Sequence, residues 1–179
     1  MNKELTESEM VELWENHTAL EFSRKDAVAT VATMASGNYV NHVPVMTGGR
    51  GTEEMLDFYG KHFIPKMPAD TSLRLFARTV GKDRLVDEFV FTFTHDVEMN
   101  WMLPGVAPTG HKVEIPMVVV VQFEGAKIAS ERIYWDQASV LLQIGLMQRN
   151  HLPVTGLEQA RKFENPELPS NHLISRSSQ

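Results

Sequence analysis

The sequence predicts an α+β fold built on an antiparallel sheet, and three observations carry that reading. Met10, Leu13, Trp14, His17 and Leu20 recur at helical spacing near the start of the chain. From Leu73 onward the apolar period changes to two, the spacing of strands. The strands are joined by short turns, Gly81-Lys82-Asp83 and Glu124-Gly125, rather than by helical crossovers. Helices first and hairpin-linked strands afterwards do not make the alternating units of a parallel sheet.

Each element follows from its residues. Thr6 and Glu9 form a capping box, which satisfies two orphan amides of the first turn and starts a helix over Leu5 to Phe22. Asp26 is the expected N-cap of a second helix running to Met34, broken by Ser36-Gly37-Asn38. Tyr39, Val40, Val43 and Val45 suggest a short strand interrupted at Pro44. Residues Thr47 to Thr52 read as a turn into a third helix, whose apolar side is Met55, Leu56, Phe58, Tyr59 and Phe63, and which Pro65 and Pro68 end. Strands are expected over Leu73–Val80, Leu85–His95, Val113–Phe123 and Lys127–Trp135, then a helix over Gln137–Met147. Residues 1–152 read as one domain. Residues 153–179 turn polar and Pro-interrupted, and read as a C-terminal tail frayed at its Ser-Arg-Ser-Ser-Gln end.

Composition narrows the chemistry. The chain has 179 residues, 42% hydrophobic and 22% charged, with a net charge of −6 and no Lys/Arg cluster. Phosphate neutralisation needs concentrated positive charge, so nucleic acid is not an expected partner, nor is a membrane surface. No run approaches the ~18 apolar residues of a membrane span, and the acidic N-terminus lacks the apolar stretch of a signal peptide, so a cytoplasmic location is expected. Without cysteine there is no disulfide, thiolate metal site or Cys nucleophile. There is also no Gly-x-Ser-x-Gly elbow. The Gly48-Gly49-Arg50-Gly51 segment lacks the Walker Lys-Ser/Thr, and Glu53 and Glu54 behind it would repel phosphate, so it reads as a turn.

Carboxylates and imidazoles remain. By strand parity Asp87, Phe89, Phe91, Phe93 and His95 share one face, an aromatic ladder bounded by an acid and a histidine, as in the wall of an apolar pocket or a plain core. Arg132, Tyr134 and Asp136 share a face of the last strand, opposite Glu131, Ile133 and Trp135. Asp136 suits both the N-cap of the next helix and acid/base work beside aromatics. His17 lies on the apolar stripe of the first helix with Glu21 at i+4, a spacing that allows a hydrogen bond or half a metal site, though such a histidine is more often a core or interface residue. The other pairs, His95-x-x-Glu98 and His111-x-x-Glu114, lie outside strong helical patterns, and no metal site is assigned.

Several motifs occur in a telling order. Pro108-Thr109-Gly110-His111-Lys112-Val113 is followed by Glu124-Gly125-Ala126-Lys127-Ile128, then Tyr134-Trp135-Asp136, then Leu141-Leu142-Gln143-Ile144-Gly145. His17-x-x-x-Glu21-Phe22, Lys25-Asp26 and His42-Val43-Pro44 precede them. Over roughly residues 8 to 147 the chain resembles the SnoaL-like polyketide cyclase family of the nuclear transport factor 2-like superfamily. The resemblance implies a cone-shaped α+β fold, with a curved antiparallel sheet wrapped around N-terminal helices, an open-ended pocket and a homodimer. It further implies acid/base catalysis on a small hydrophobic carbonyl compound by a cyclase, isomerase or dehydratase, with no cofactor and no metal. Asp136 matches the family's strand-end acid and His95 its Thr-His pair, so both are the expected catalytic residues. Tyr39, His42, Trp101 and Tyr134 are expected to line the cavity. The chain departs from the family in its Asp96–Ala107 insertion, a possible lid, and in Ser130-Glu131-Arg132, where Glu-His-Trp is commoner. The alternative expectation is a non-catalytic binding or dimerisation module of the same fold.

Overall fold

The computed structural model describes residues 4–176; residues 1–3 and 177–179, which open the acidic N-terminal stretch and close the tail expected to fray, lie outside the described residues. The capping box forms as predicted: the Glu9 amide donates to Thr6 Oγ1 and the Thr6 amide donates to Glu9 Oε2, opening α1 (Glu7–Ala19). α1 runs on through one wider π turn, Leu20–Arg24, and ends at Lys25 with φ 55°. Asp26 then caps α2 (Ala27–Ala32) by accepting from the Ala29 amide at 2.9 Å. This helix stops earlier than its apolar pattern suggests, because Met34 already opens β1 (Met34–His42).

Two local expectations are corrected here. Ser36-Gly37-Asn38 is not what ends the second helix, which stops at Ala32; it sits inside β1, where the pairing register shifts between Met34 and Tyr39. The segment read as a glycine turn is a strand, β2 (Thr47–Arg50), paired antiparallel to β1 from Tyr39↔Arg50 to His42↔Thr47. Gly48, at φ 139°, makes that pairing possible: a Cβ there would stand 2.1 Å from the Val40 carbonyl oxygen.

After α3 (Gly51–Asp57) the chain again passes through a π turn, Phe58–Phe63, and a single 3₁₀ turn carrying Pro65. Then come β3 (Ser72–Val80), β4 (Arg84–Thr94), β5 (Lys112–Glu124) and β6 (Lys127–Trp135), close to their expected limits. The strand order is β2-β1-β6-β5-β4-β3 in one curved, open sheet. The α+β expectation therefore holds, with one refinement. All pairs are antiparallel except β1–β6, which is parallel because β1 enters from the helical half and runs alongside β6.

Strand parity sets the inside. Val113, Ile115, Met117, Val119, Val121 and Phe123 of β5 and Leu85, Asp87, Phe89, Phe91 and Phe93 of β4 face the helices and are buried. Each such Val or Phe contributes roughly 1.5–3 kcal/mol by leaving water. The methionine surplus is spent in the same place, with Met10, Met55, Met99 and Met102 at most 1% exposed. α4 (Gln137–Gln143) follows β6. The segment read as a tail contains α5 (Leu157–Glu164) and α6 (His172–Arg176). α5 lies against β5, and its Phe163 ring packs on Phe76 of β3 with centroids 4.8 Å apart. Among the described residues no helix is long and apolar enough to cross a membrane.

Candidate functional site

A cavity of about 180 Å³ opens between α1 with its π turn, the π turn after α3, and the inner face of the sheet. Most of its wall is apolar: Phe22, Phe63, Phe89, Phe91, Met117 and Val119. Against that background its polar side chains stand out. They are Glu21, Tyr59 and Glu131, the Asp87–Arg78 pair, Thr18 and His42.

The first three converge on His17. Glu21 follows His17 by one helical turn, and the π turn carries it inward, 6% exposed. Tyr59 sits on the second π turn and is 1% exposed. Such widened turns recur at functional sites because they re-aim side chains that a regular helix would place elsewhere. Glu131 comes from β6, on the inward face with Ile133 and Trp135. His17 Nε2 lies 3.2 Å from Glu21 Oε1, 3.1 Å from Glu131 Oε1 and 3.3 Å from the Tyr59 hydroxyl.

The opposite ring nitrogen is fixed by Thr33, at the end of a helix whose threonine hydroxyls bond back to its carbonyls. Thr30 Oγ1 donates to the Asp26 carbonyl at 2.7 Å, and Thr33 Oγ1 donates to the Thr30 carbonyl at 2.6 Å. Thr33 has spent its hydrogen, so at 2.6 Å it accepts from His17 Nδ1–H. His17 also stacks on Trp14, whose indole N–H donates to Asp87 Oδ2 at 2.9 Å. Arg78 clamps the same carboxylate through two N–H groups, at 2.7 and 2.8 Å.

Electrostatics follow from these partners. Burial alone pushes the His17 imidazolium toward losing its proton, but Glu131 and Glu21 together outweigh it and raise the pKa to about 10. Glu21 is pushed up, first by burial. Tyr59 is held well above the usual phenol range by burial and then by the two carboxylates. His42 behaves oppositely. Its ring is enclosed by Phe58, Phe63, Trp101 and Trp135 at centroid distances of 5.0–5.8 Å, and burial lowers it to about 4. It is therefore neutral at neutral pH, with Nδ1–H donating to the Thr47 carbonyl at 3.3 Å and Nε2 the basic nitrogen.

Of the residues expected from sequence, His42 and Trp101 line the cavity. Trp101 belongs to the Asp96–Ala107 insertion, which buries Met99, Trp101, Met102 and Leu103 and so supplies a fixed wall. Tyr39 and Tyr134 are 37% and 42% exposed, and neither lines the cavity. The Tyr39 ring lies 5.9 Å from the Arg132 guanidinium carbon instead. Asp136 lies outside the lining too: Oδ1 caps α4 by accepting from the Ala138 and Ser139 amides, and Oδ2 accepts from Gln159 Nε2 at 2.8 Å. His95 is buried away from the cavity, with Nδ1 3.2 Å from Thr109 Oγ1, and its backbone pins Thr109, Gly110 and His111. Burial lowers its pKa.

In the sequence His17/Glu21 and the Asp87 ladder stand out separately, while Glu131 figures only as a strand-face residue and a departure from the family, and Tyr59 only as a helix apolar residue. A charge between inward apolar positions of β6 was the available signal for Glu131, whereas Tyr59 was indistinguishable from core.

Comparison with solved structures gives the same architecture. TsrD from Streptomyces laurentii superposes with a TM-score of 0.62 at 18% identity, over 80% of this chain and 100% of that one. A nuclear transport factor 2-like protein of unknown function from Burkholderia pseudomallei gives 0.58 at 18% identity, over 78% and 99%. A protein with a ketosteroid isomerase-like fold from Catenulispora acidiphila, solved with trimethylamine, gives 0.55 at 22% identity, over 79% and 96%. At these identities the likeness is one of fold. Comparison with curated proteins yields no match. The sequence profile of the SnoaL-like polyketide cyclase family, however, matches residues 12–144, the span that supplies every wall of the cavity, and the chain belongs to that family.

Proposed function

We propose that the cavity binds a small hydrophobic carbonyl compound and catalyses proton transfer beside its carbonyl group, as a cyclase, isomerase or dehydratase does. The observation that carries this reading is the convergence of Glu21, Glu131 and Tyr59 on one part of a mostly apolar wall. An apolar cavity favours a hydrophobic body, and a few convergent polar groups orient its polar atoms. In this reading a carboxylate oxygen of Glu131 takes the proton α to the carbonyl, and the Tyr59 O–H hydrogen-bonds the oxygen on which charge develops. His17 holds Glu21 and Glu131 in place from behind, and His42 and Trp101 bound the substrate's apolar body. These roles replace those expected of Asp136 and His95, which lie outside the cavity lining.

Deuterium exchange at the α-carbons of small cyclic ketones in D₂O, followed by NMR, tests the proposal. Wild type accelerates exchange, and Glu131→Gln loses about 10²–10⁴-fold of the acceleration, the usual share of a general acid/base. Exchange that is equal in wild type and Glu131→Gln defeats the assignment. A homodimer through the sheet remains part of the proposal. Tyr39 and Tyr134 are exposed beside the half-buried Val118 and Val120, an apolar supply that a partner sheet would cover. Light scattering measures the mass directly.

A further inference from the structure

We propose that His17, Glu21 and Glu131 form a binding site for one divalent first-row transition cation, of the zinc or manganese(II) class, at the polar part of the cavity. The proposal deepens the reading of that cavity as the functional site and rests on it. Its basis is the ligand geometry. One ligand atom from each residue can be chosen so that all three lie within 4.8 Å of one another. A cation at about 2.1 Å from its nitrogen and oxygen ligands, with ligand angles between octahedral and tetrahedral, separates neighbouring ligand atoms by about 3.0–3.4 Å. The separations here are 3.2 Å from His17 Nε2 to Glu21 and 3.1 Å to Glu131.

The surroundings fit a ligand set as well. A metal-bound imidazole gives its lone pair to the cation and its other N–H to a fixed acceptor, which sets the tautomer. Thr33 Oγ1, its own hydrogen committed to the Thr30 carbonyl, does this for His17, holding the proton on Nδ1 and turning Nε2 toward the two carboxylates. Two carboxylates share one imidazole in a buried wall, and among the described residues neither is ion-paired with a lysine or arginine. A divalent cation in place of the His17 Nε2 proton would balance the charge of both carboxylates. Glu21, Tyr59 and Glu131 line the cavity, so a cation held by the two carboxylates would face its interior. One nitrogen and two carboxylate oxygens suit zinc, manganese(II) or iron(II) better than calcium or a thiophilic ion. Coordination through one oxygen of Glu131 leaves its second oxygen free for the proton transfer proposed above.

The test uses the full chain, stripped with EDTA and titrated calorimetrically with ZnCl₂ and MnCl₂ in the absence of any organic ligand. The expected result is one cation per chain, a rise in thermal midpoint, and loss of that site in both Glu131→Gln and Glu21→Gln. Thr33→Val, which removes only the acceptor behind His17, weakens binding about 10–100-fold. Uptake that is absent in wild type, or identical in wild type and both Gln variants, overturns the site and assigns any binding to surface histidines. Should the Gln variants not fold, ¹⁵N NMR of wild-type histidines decides. On cation addition His17 Nε2 loses any proton and shifts while Nδ1 keeps its own; an Nε2 that stays protonated at saturation overturns the proposal. Ketone binding is followed separately by tryptophan fluorescence. Ketone bound by a protein that takes no cation defeats the metal site alone, whereas cation uptake without ketone binding supports the metal site and defeats the substrate reading.

Discussion

His17 and His42 are equally hidden, 0% and 4% exposed, the first behind the cavity wall and the second in it, yet they are driven in opposite directions. His17 faces two carboxylates and is raised to about 10, whereas His42 faces four aromatic rings and a carbonyl and is lowered to about 4. Burial disfavours the charged imidazole in both. The partners decide the outcome, because two carboxylates at about 3 Å together outweigh the lost hydration of the ring. The cavity thus has a charged part and a neutral part within one wall. That division is what a site needs to hold a hydrophobic body while handling protons at one of its atoms.

Each histidine can be perturbed separately, and the largest effect is expected at His17. In metal-free protein, His17→Leu leaves Glu21 and Glu131 facing each other without their cation, and should cost about 3–5 kcal/mol in urea unfolding at neutral pH. A loss below about 1 kcal/mol would mean that the carboxylates relax into water and that the cluster is not the rigid unit described.

The next effect is in acid. His42 has a folded pKa of about 4 against 6.5 for an unperturbed imidazole, so between those values the unfolded chain binds the extra proton. Its stabilising contribution is complete above pH 6.5 and is lost as pH falls toward 4, by about 3 kcal/mol. His17 has the opposite sign. Its folded pKa lies above the unfolded one, so its contribution is complete below 6.5 and is lost as pH rises toward 10. In His42→Phe the acid-side loss should vanish while the alkaline side is unchanged; a retained acid slope would place the titration elsewhere.

The smallest effect separates scaffold from site. Asp136→Ala removes a helix cap and should cost about 1 kcal/mol, while Asp136→Asn, which can still accept from the Ala138 amide, should cost only a few tenths. Ketone exchange should be indifferent to Asp136→Asn. Loss of exchange in that variant with stability intact would return catalysis to the end of β6.

Much of this molecule was legible beforehand, for reasons that are local. The Thr6/Glu9 box, the Asp26 cap and the alternation along β4 and β5 depend on residues within a few positions of one another. β2 was not legible, because a Gly-Gly strand has no side chains with which to show a period and exists only through its pairing with β1. α5 was obscured by its polar sequence, since a helix seated by one face needs few apolar residues. In the site, His17 and Glu21 could be paired because they are one turn apart. Glu131 is 110 positions from Glu21 in the chain. Asp136 drew notice through its dual suitability, and its neighbours in α4 and Gln159 claimed it for capping.

By itself, then, the sequence determined the α+β architecture, the inward faces of its long strands, and the restriction of polar chemistry to carboxylate and imidazole groups. Hydrogen-bonding range and strand parity are short-range rules, and they act before the chain closes on itself. Only the tertiary structure decided which acids share an environment. It brought Glu131 of β6 and Tyr59 of a π turn to within 3.5 Å of His17 while leaving Asp136 at a helix cap. Charge interactions scale with distance in space, and a curved sheet sets those distances without regard to position in the chain.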